Sequence, residues 1–160
     1  NDYSRPGIAM NQVNSIVVHY TANPGSTALQ NRNYFEGLKD SHETMASSHF
    51  IVGLDGEIVQ CIPTNEISYA SNDRNNDTVS IECCHADTTG QFNQQTYDSL
   101  VELTAYLIGK FHLTTDDVIR HYDVTGKKCP LYYVEHEDAW QQFLKDVDAY
   151  IDAHGVVQEE

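Results

Sequence analysis

Thr78-Val79-Ser80-Ile81-Glu82-Cys83 alternates with a period of two, placing Val79, Ile81 and Cys83 on one face and Ser80 and Glu82 on the other. That is the pattern of a strand with one face in a core. Past Gly90 the period changes. Tyr97, Leu100, Val101, Thr104, Ile108 and Phe111 recur at helical spacing, which predicts a long amphipathic helix. Upstream, Ser15-Ile16-Val17-Val18-His19-Tyr20 is a β-branched run that reads as a buried strand, ending in the loop Thr21-Ala22-Asn23-Pro24-Gly25. Thr27 and Gln30 have capping-box spacing and predict a helix to about Leu38, with Leu29, Tyr34, Phe35 and Leu38 facing a core. Two β-rich runs, His49-Phe50-Ile51-Val52 and Glu57-Ile58-Val59-Gln60-Cys61-Ile62, flank Gly53-Leu54-Asp55-Gly56, whose Asp-Gly signals a hairpin. Asp117-Val118-Ile119-Arg120-His121 reads as another strand. Trp140, Phe143, Leu144, Val147, Tyr150 and Ile151 form a closing helix that Gly155 stops. Strands interleaved with helices predict a single α/β domain, a central mixed β-sheet flanked by helices, over residues 1–154. Residues 155–160 are expected to be a disordered tail.

The chain has 160 residues, with 9 Lys+Arg against 24 Asp+Glu and a net charge of −15. Such an excess disfavours nucleic acid, whose phosphates call for Lys and Arg, and unaided docking on anionic membranes. Forty per cent apolar residues suit one ordinary core. The chain shows no basic start followed by an apolar run, so no signal peptide is visible, and no stretch approaches the ~18 apolar residues of a membrane span. The absence of an initiator Met fits an excised or processed piece of a longer protein. Cys61, Cys83, Cys84 and Cys129 leave the redox compartment open. Cys83 reads as a core thiol; Cys61 and Cys84 could meet across neighbouring strands, with no bond assigned.

Chemistry concentrates at the ends of the strands, where α/β proteins place their sites. His19 ends the first strand and His121 a late one, and Cys129 follows eight residues later across a loop. Two imidazoles and a thiolate would make a three-ligand, open zinc site. Spacing alone leaves the alternative standing, since an isolated His or Cys is usually an ordinary polar or core residue. Glu82 is a carboxylate inside a strand, which needs either solvent at a sheet edge or a function. Lys127, two residues before Cys129, either reaches the same site or belongs to a solvated Lys127-Lys128 turn. His49 reads as a structural hydrogen-bonding residue. His42, His85, His112, His136 and His154 read as facing water.

Four motifs occur in order: Val17-Val18-His19-Tyr20-Thr21; Ser47-Ser48-His49-Phe50-Ile51-Val52-Gly53-Leu54-Asp55-Gly56; Asp77-Thr78-Val79-Ser80-Ile81-Glu82; and Arg120-His121-Tyr122-Asp123-Val124-Thr125-Gly126-Lys127-Lys128-Cys129-Pro130. Together they resemble the zinc N-acetylmuramoyl-L-alanine amidases shared by phage endolysins, bacterial autolysins and peptidoglycan recognition proteins. The resemblance spans about Ser15 to Ile151. It implies that His19, His121 and Cys129 are ligands of one Zn²⁺ per chain, with Cys129 where some members carry Asp. It further implies that Glu82 is the general base and that Lys127 stabilises the oxyanion. Asp123 is a candidate to orient His121. Two positions depart from the family. Ser48 stands where some phage members have a catalytic Tyr, and Ser68-Tyr69-Ala70 falls where many have a Trp-His-Ala-like stretch.

The implied reaction is hydrolysis of the amide between N-acetylmuramic acid and L-alanine in bacterial peptidoglycan. The expected partner is that muramyl peptide, with no nucleic acid and no membrane, and the catalytic domain is expected to be monomeric. The resemblance implies action on the cell wall, as a secreted autolysin or as an endolysin released from a host cytoplasm. A separate wall-binding domain outside this chain is expected. Two rival readings are a binding module of the same fold that holds muramyl peptide without cutting it, and an assembly domain with a structural zinc or none.

Overall fold

The computed structural model describes residues 1–155; residues 156–160, most of the expected tail, lie outside the described residues. In chain order the elements are β1 (Ser15–Tyr20), α1 (Ala28–Ser41), β2 (Phe50–Val52), β3 (Ile58–Gln60), β4 (Thr78–Cys83), α2 (Gln94–Phe111), β5 (Val118–Arg120), α3 (His121–Thr125), α4 (Leu131–Glu135) and α5 (Glu137–His154). The strands form one mixed sheet in the order β3-β2-β4-β1-β5. Within it the β2–β3 hairpin is antiparallel and the β1–β4, β1–β5 and β2–β4 pairs are parallel. The α/β fold expected from the sequence is therefore the one observed.

Alternation assigns each side chain to a face. Ile16, Val18, Phe50, Val52, Val79, Ile81 and Cys83 enter the main core with Leu100, Leu107 and Ile108 of α2 and Trp140, Phe143 and Val147 of α5. The opposite face packs Ile51 and Cys84 against Ala28, with Phe35 at the margin. Here α1 covers the sheet only in part, and polar side chains of β1 and β4 occupy the rest.

Local signals set the ends. Thr27 Oγ1 accepts from Gln30 N at 3.1 Å while Gln30 Oε1 accepts from Thr27 N at 2.9 Å, completing the capping box. Asn93 caps α2 through Thr96 N and donates to the Leu54 carbonyl, tying the helix to the hairpin. Gly56, at φ +83°, meets the start of α2 so closely that a Cβ would lie 2.9 Å from Ser99 Oγ and 3.0 Å from Gln95 O. Both constraints demand glycine.

Two expectations need correction, and one helix goes unforeseen. Leu29 and Tyr34 face solvent; the inner face of α1 is carried by Ala28 and Leu38, with Phe35 half-buried. The helix is fixed by which side the sheet lies on, and several apolar residues around α1 left that side ambiguous. The late strand stops at Arg120, and His121 begins α3, because the Asp123 carboxylate accepts from Arg120 N at 2.9 Å and starts a helical turn. Finally, α4 had no sequence signal of its own.

Burial separates two apolar residues that look alike in the sequence. Phe143→Ala is expected to lower unfolding free energy by about 3–5 kcal/mol, whereas Leu29→Ala should change it by about 0.5 kcal/mol or less. Urea denaturation of both variants checks the assignment of faces.

Candidate metal centre and active site

The parallel pairing of β1 with β4 sets His19 directly beside Glu82, and β2 sets Ile51 on the other flank of Glu82. All three point away from the main core. On the other side of β1, Val18 pairs with Arg120. Arg120 lies on the core side, its guanidinium 5.3 Å from the Trp140 ring. The next residue, His121, emerges on the opposite face, beside His19, with ring centroids 4.7 Å apart. Cys129 is brought back by Tyr122 N donating to the Cys129 carbonyl at 3.0 Å. The Cys129–Pro130 peptide is cis.

His19, His121 and Cys129 thus converge, buried, with one donor atom of each lying within 4.8 Å of the others. His19 Nδ1 is 3.7 Å from Cys129 Sγ. His19 Nε2 faces Ser71 Oγ at 3.3 Å, and His121 Nε2 faces Asn72 Oδ1 at 2.7 Å. The remaining ring nitrogen, His121 Nδ1, is sealed from solvent and has no hydrogen-bond partner. An orphaned buried polar atom costs about 1–3 kcal/mol, and a cation beside it would satisfy it. Two imidazoles and a thiol are also the donor types zinc takes. The residues fit the metal.

The electrostatics agree. Burial, His121 and the Lys127 ammonium hold the His19 ring well below its ordinary pKa of 6.5. Burial and Lys127 also lower His121. Both rings are therefore neutral at pH 7, the form that ligates. Burial pushes the Cys129 thiol up to about 12, assisted by Glu82 and opposed by a hydrogen bond from the Tyr20 backbone and by Lys127. A thiol so placed ionises only beside a strong cation, and a coordinated thiol does so outright. Burial raises Glu82 to about 8, again with Lys127 opposing, and its Oε2 is sealed without a partner. Lys127, itself exposed, acts electrostatically on all four groups.

Other sequence readings resolve here. Asp123 does not reach His121; its carboxylate is taken by the Arg120 backbone N–H and guanidinium at 2.9–3.2 Å. A carboxylate two residues from His121 was closer in sequence, but the helical turn aims it backwards. The partners of the ring nitrogens are Ser71 and Asn72, which sequence reasoning missed; the turn-forming run Ser71-Asn72-Asp73 marked a loop and not a ligand support. Ser48 is fully buried and donates to the Phe50 and Ser80 carbonyls, so it supplies nothing to the site. His49 is structural as expected, its ring buried between Ser80, Ser68 and the Glu66 carbonyl. Glu82 lies on an interior strand, not at an edge. His85, expected in water, is buried: its Nδ1 donates to the Asp87 carbonyl at 2.7 Å and its ring leans on Tyr20. His42, His112, His136 and His154 are exposed. All four cysteines are free thiols, and the backbone N–H groups of Cys61 and Cys84 donate to the carbonyls of His49 and Val52. A cleft of about 630 Å³ between Met10, Asn65, Lys110 and His112 shares no residue with the triad.

The titrations make a signed expectation for protein kept free of metal. Between 4.5 and about 8 the folded chain holds a proton on Glu82 that the unfolded chain releases, so stability falls as pH rises. The two histidines act oppositely, but only below their unfolded value of 6.5. From pH 6.5 to 8 stability should therefore decline, by at most about 1.4 kcal/mol per pH unit for one proton. Glu82→Gln should remove that decline; an unchanged slope in urea titrations would show that Glu82 is ionised in the metal-free fold.

Comparison with known proteins agrees with the geometry. The family model described as N-acetylmuramoyl-L-alanine amidase matches residues 9–131. The chain is 35% identical to the N-acetylmuramoyl-L-alanine amidase CwlL of Bacillus licheniformis, over 94% of this chain and 45% of that protein. To the amidase BlyA of Bacillus subtilis (strain 168) it is 31% identical, over 98% and 47%. It thus spans about half the length of the curated relatives it matches. Among solved structures, a mutant endolysin from Bacillus subtilis superposes with a TM-score of 0.75 at 30% identity, covering 89% of this chain and 90% of that one. The catalytic domain of XlyA superposes with a TM-score of 0.75 at 27% identity, covering 91% and 96%.

Proposed function

The chain belongs to the N-acetylmuramoyl-L-alanine amidase family, and from that membership we propose that it is the zinc-dependent catalytic domain of a cell-wall hydrolase. Its substrate is the amide joining the lactyl group of N-acetylmuramic acid to the L-alanine of the stem peptide in bacterial peptidoglycan. The observation that carries the reading is the buried convergence of His19, His121 and Cys129 beside Glu82.

His19, His121 and Cys129 would hold the zinc. When bound, zinc supplies a Lewis acid that polarises the amide carbonyl and brings the pKa of water to about 7. Glu82, ionised once the site holds its cation, takes a proton from the water that adds to the carbonyl carbon, then delivers it to the amine nitrogen as the C–N bond breaks. Lys127 donates to the oxyanion that forms between those two events. The products are a free lactyl carboxylate and a stem peptide with a free alanine amine. Neither role falls to Ser48, which is fully buried just ahead of β2.

The domain acts on the wall, as part of an autolysin or an endolysin. A net charge of −15 repels the anionic polymers of many walls. A wall-binding domain outside residues 1–154 would offset that repulsion by holding the catalytic domain at high local concentration.

Purified protein is expected to carry about one zinc per chain and to release peptides with a free alanine amino terminus from peptidoglycan. Release of new reducing sugar ends in place of free alanine amines would overturn the assignment. Glu82→Gln should lower turnover by about 10²–10⁴-fold, Lys127→Ala by about a hundredfold or more, and Cys129→Ala should lose the metal. Lysis of anionic walls by this chain should also speed up as salt rises from about 0.01 to 0.15 M, because the Debye length shrinks from about 30 to 8 Å.

A further inference from the structure

Both histidines of the triad turn the same nitrogen away from it. His121 Nε2 lies 2.7 Å from Asn72 Oδ1. An amide oxygen only accepts, so this nitrogen carries the single proton of the neutral ring. The lone pair is then on Nδ1, the atom that is sealed and without a partner. His19 repeats the arrangement, with Nε2 against Ser71 Oγ at 3.3 Å and Nδ1 toward Cys129 Sγ. Two consecutive residues of one turn therefore address both rings.

The turn is built to hold that pose. Asn72 has φ +53°, left-handed backbone that most side chains avoid and asparagine tolerates. Asn75 Oδ1 accepts from Ser71 N at 2.6 Å and from Ala70 N at 3.2 Å. Arg74 N donates to the Ser71 carbonyl, and the Arg74 guanidinium is clamped by Asp77 and Ser15 Oγ at the foot of β1 and β4. Ser71 is buried whereas Asn72 is exposed, so replacing the Asn72 side chain removes no core packing.

We propose that Ser71 and Asn72 are positioning residues for the metal, Asn72 fixing the tautomer and orientation of His121 and Ser71 the orientation of His19, so that both rings present Nδ1 to the ion. This rests on the zinc reading above and adds a pair of outer supports to it. Partners of this kind typically govern metal affinity by 10–100-fold. The backbone needs a residue that accepts positive φ, and the ring needs an acceptor. Asn72 meets both requirements at once, and aspartate would too.

The test separates the two requirements. Zinc dissociation constants are measured by competition with a chromophoric chelator for the wild-type chain, Asn72→Gly, Asn72→Asp and Ser71→Ala, and Co²⁺ absorption spectra report the ligand field. Circular dichroism of the chelated proteins monitors the fold. Asn72→Gly keeps the backbone and drops the acceptor. It is expected to weaken zinc binding about tenfold or more and to broaden or shift the Co²⁺ bands, with the fold intact. Asn72→Asp, which keeps an acceptor, should bind at least as tightly as wild type. Ser71→Ala should give a smaller loss, consistent with its longer contact. Wild-type affinity and spectrum in Asn72→Gly would overturn the proposal, as would an Asn72→Asp variant as weak as Asn72→Gly. A wild-type chain that binds no zinc would overturn the zinc reading itself and the positioning role with it.

Discussion

The parallel ladder between β1 and β4 is the constraint on which the rest depends. It runs from Ser15 against Thr78 to Tyr20 against Cys83. Each strand alternates, so one choice of register settles two things together. Ile16, Val18, Val79, Ile81 and Cys83 go to the main core, and His19 and Glu82 stand side by side on the other face. A slip of one residue would turn the shifted strand over, sending its apolar side chains out of the main core and parting His19 from Glu82. The hydrophobic requirement that holds the register thereby holds the site.

A second consequence is the low polarity around the chemistry. His19, His121 and Cys129 are nearly inaccessible, while Lys127 projects its charge from an exposed loop. Burial drives both imidazoles to their neutral form and keeps Glu82 and Cys129 protonated when no cation is present. Without a cation the two imidazoles, the carboxyl and the thiol are thus all uncharged, and Lys127 carries the one charge beside them. The cation the donor set accepts would reverse that for the thiol, coupling metal binding to proton release.

Several features were legible because they rest on nearest neighbours along the chain. The capping box at Thr27, the Asp-Gly hairpin, the alternation of Thr78–Cys83 and the helical period after Gly90 all depend on local stereochemistry. Which side of an element faces what is not a local property. Leu29 and Tyr34 are apolar enough for a core but sit on the solvent side of α1. His85 looked like a polar loop residue and is enclosed by the segment around Tyr20 and Asp87. Asp123 was near His121 in sequence but is turned toward Arg120, whose ion pairs with Asp123 and Glu137 tie β5, α3 and α5 together.

By itself the sequence determined the fold class, the family resemblance and the identity of His19, Glu82, His121, Lys127 and Cys129 as candidates, because residue type, period and motif order are one-dimensional properties. Tertiary structure alone decided that three of them converge within 4.8 Å and that His19 sits beside Glu82. It also decided that the rings are braced by Ser71 and Asn72, roughly fifty residues from either histidine. The physical reason is that a hydrogen bond or a ligand set is fixed by direction and distance. Across such separations along the chain, those are set by sheet register and turn conformation.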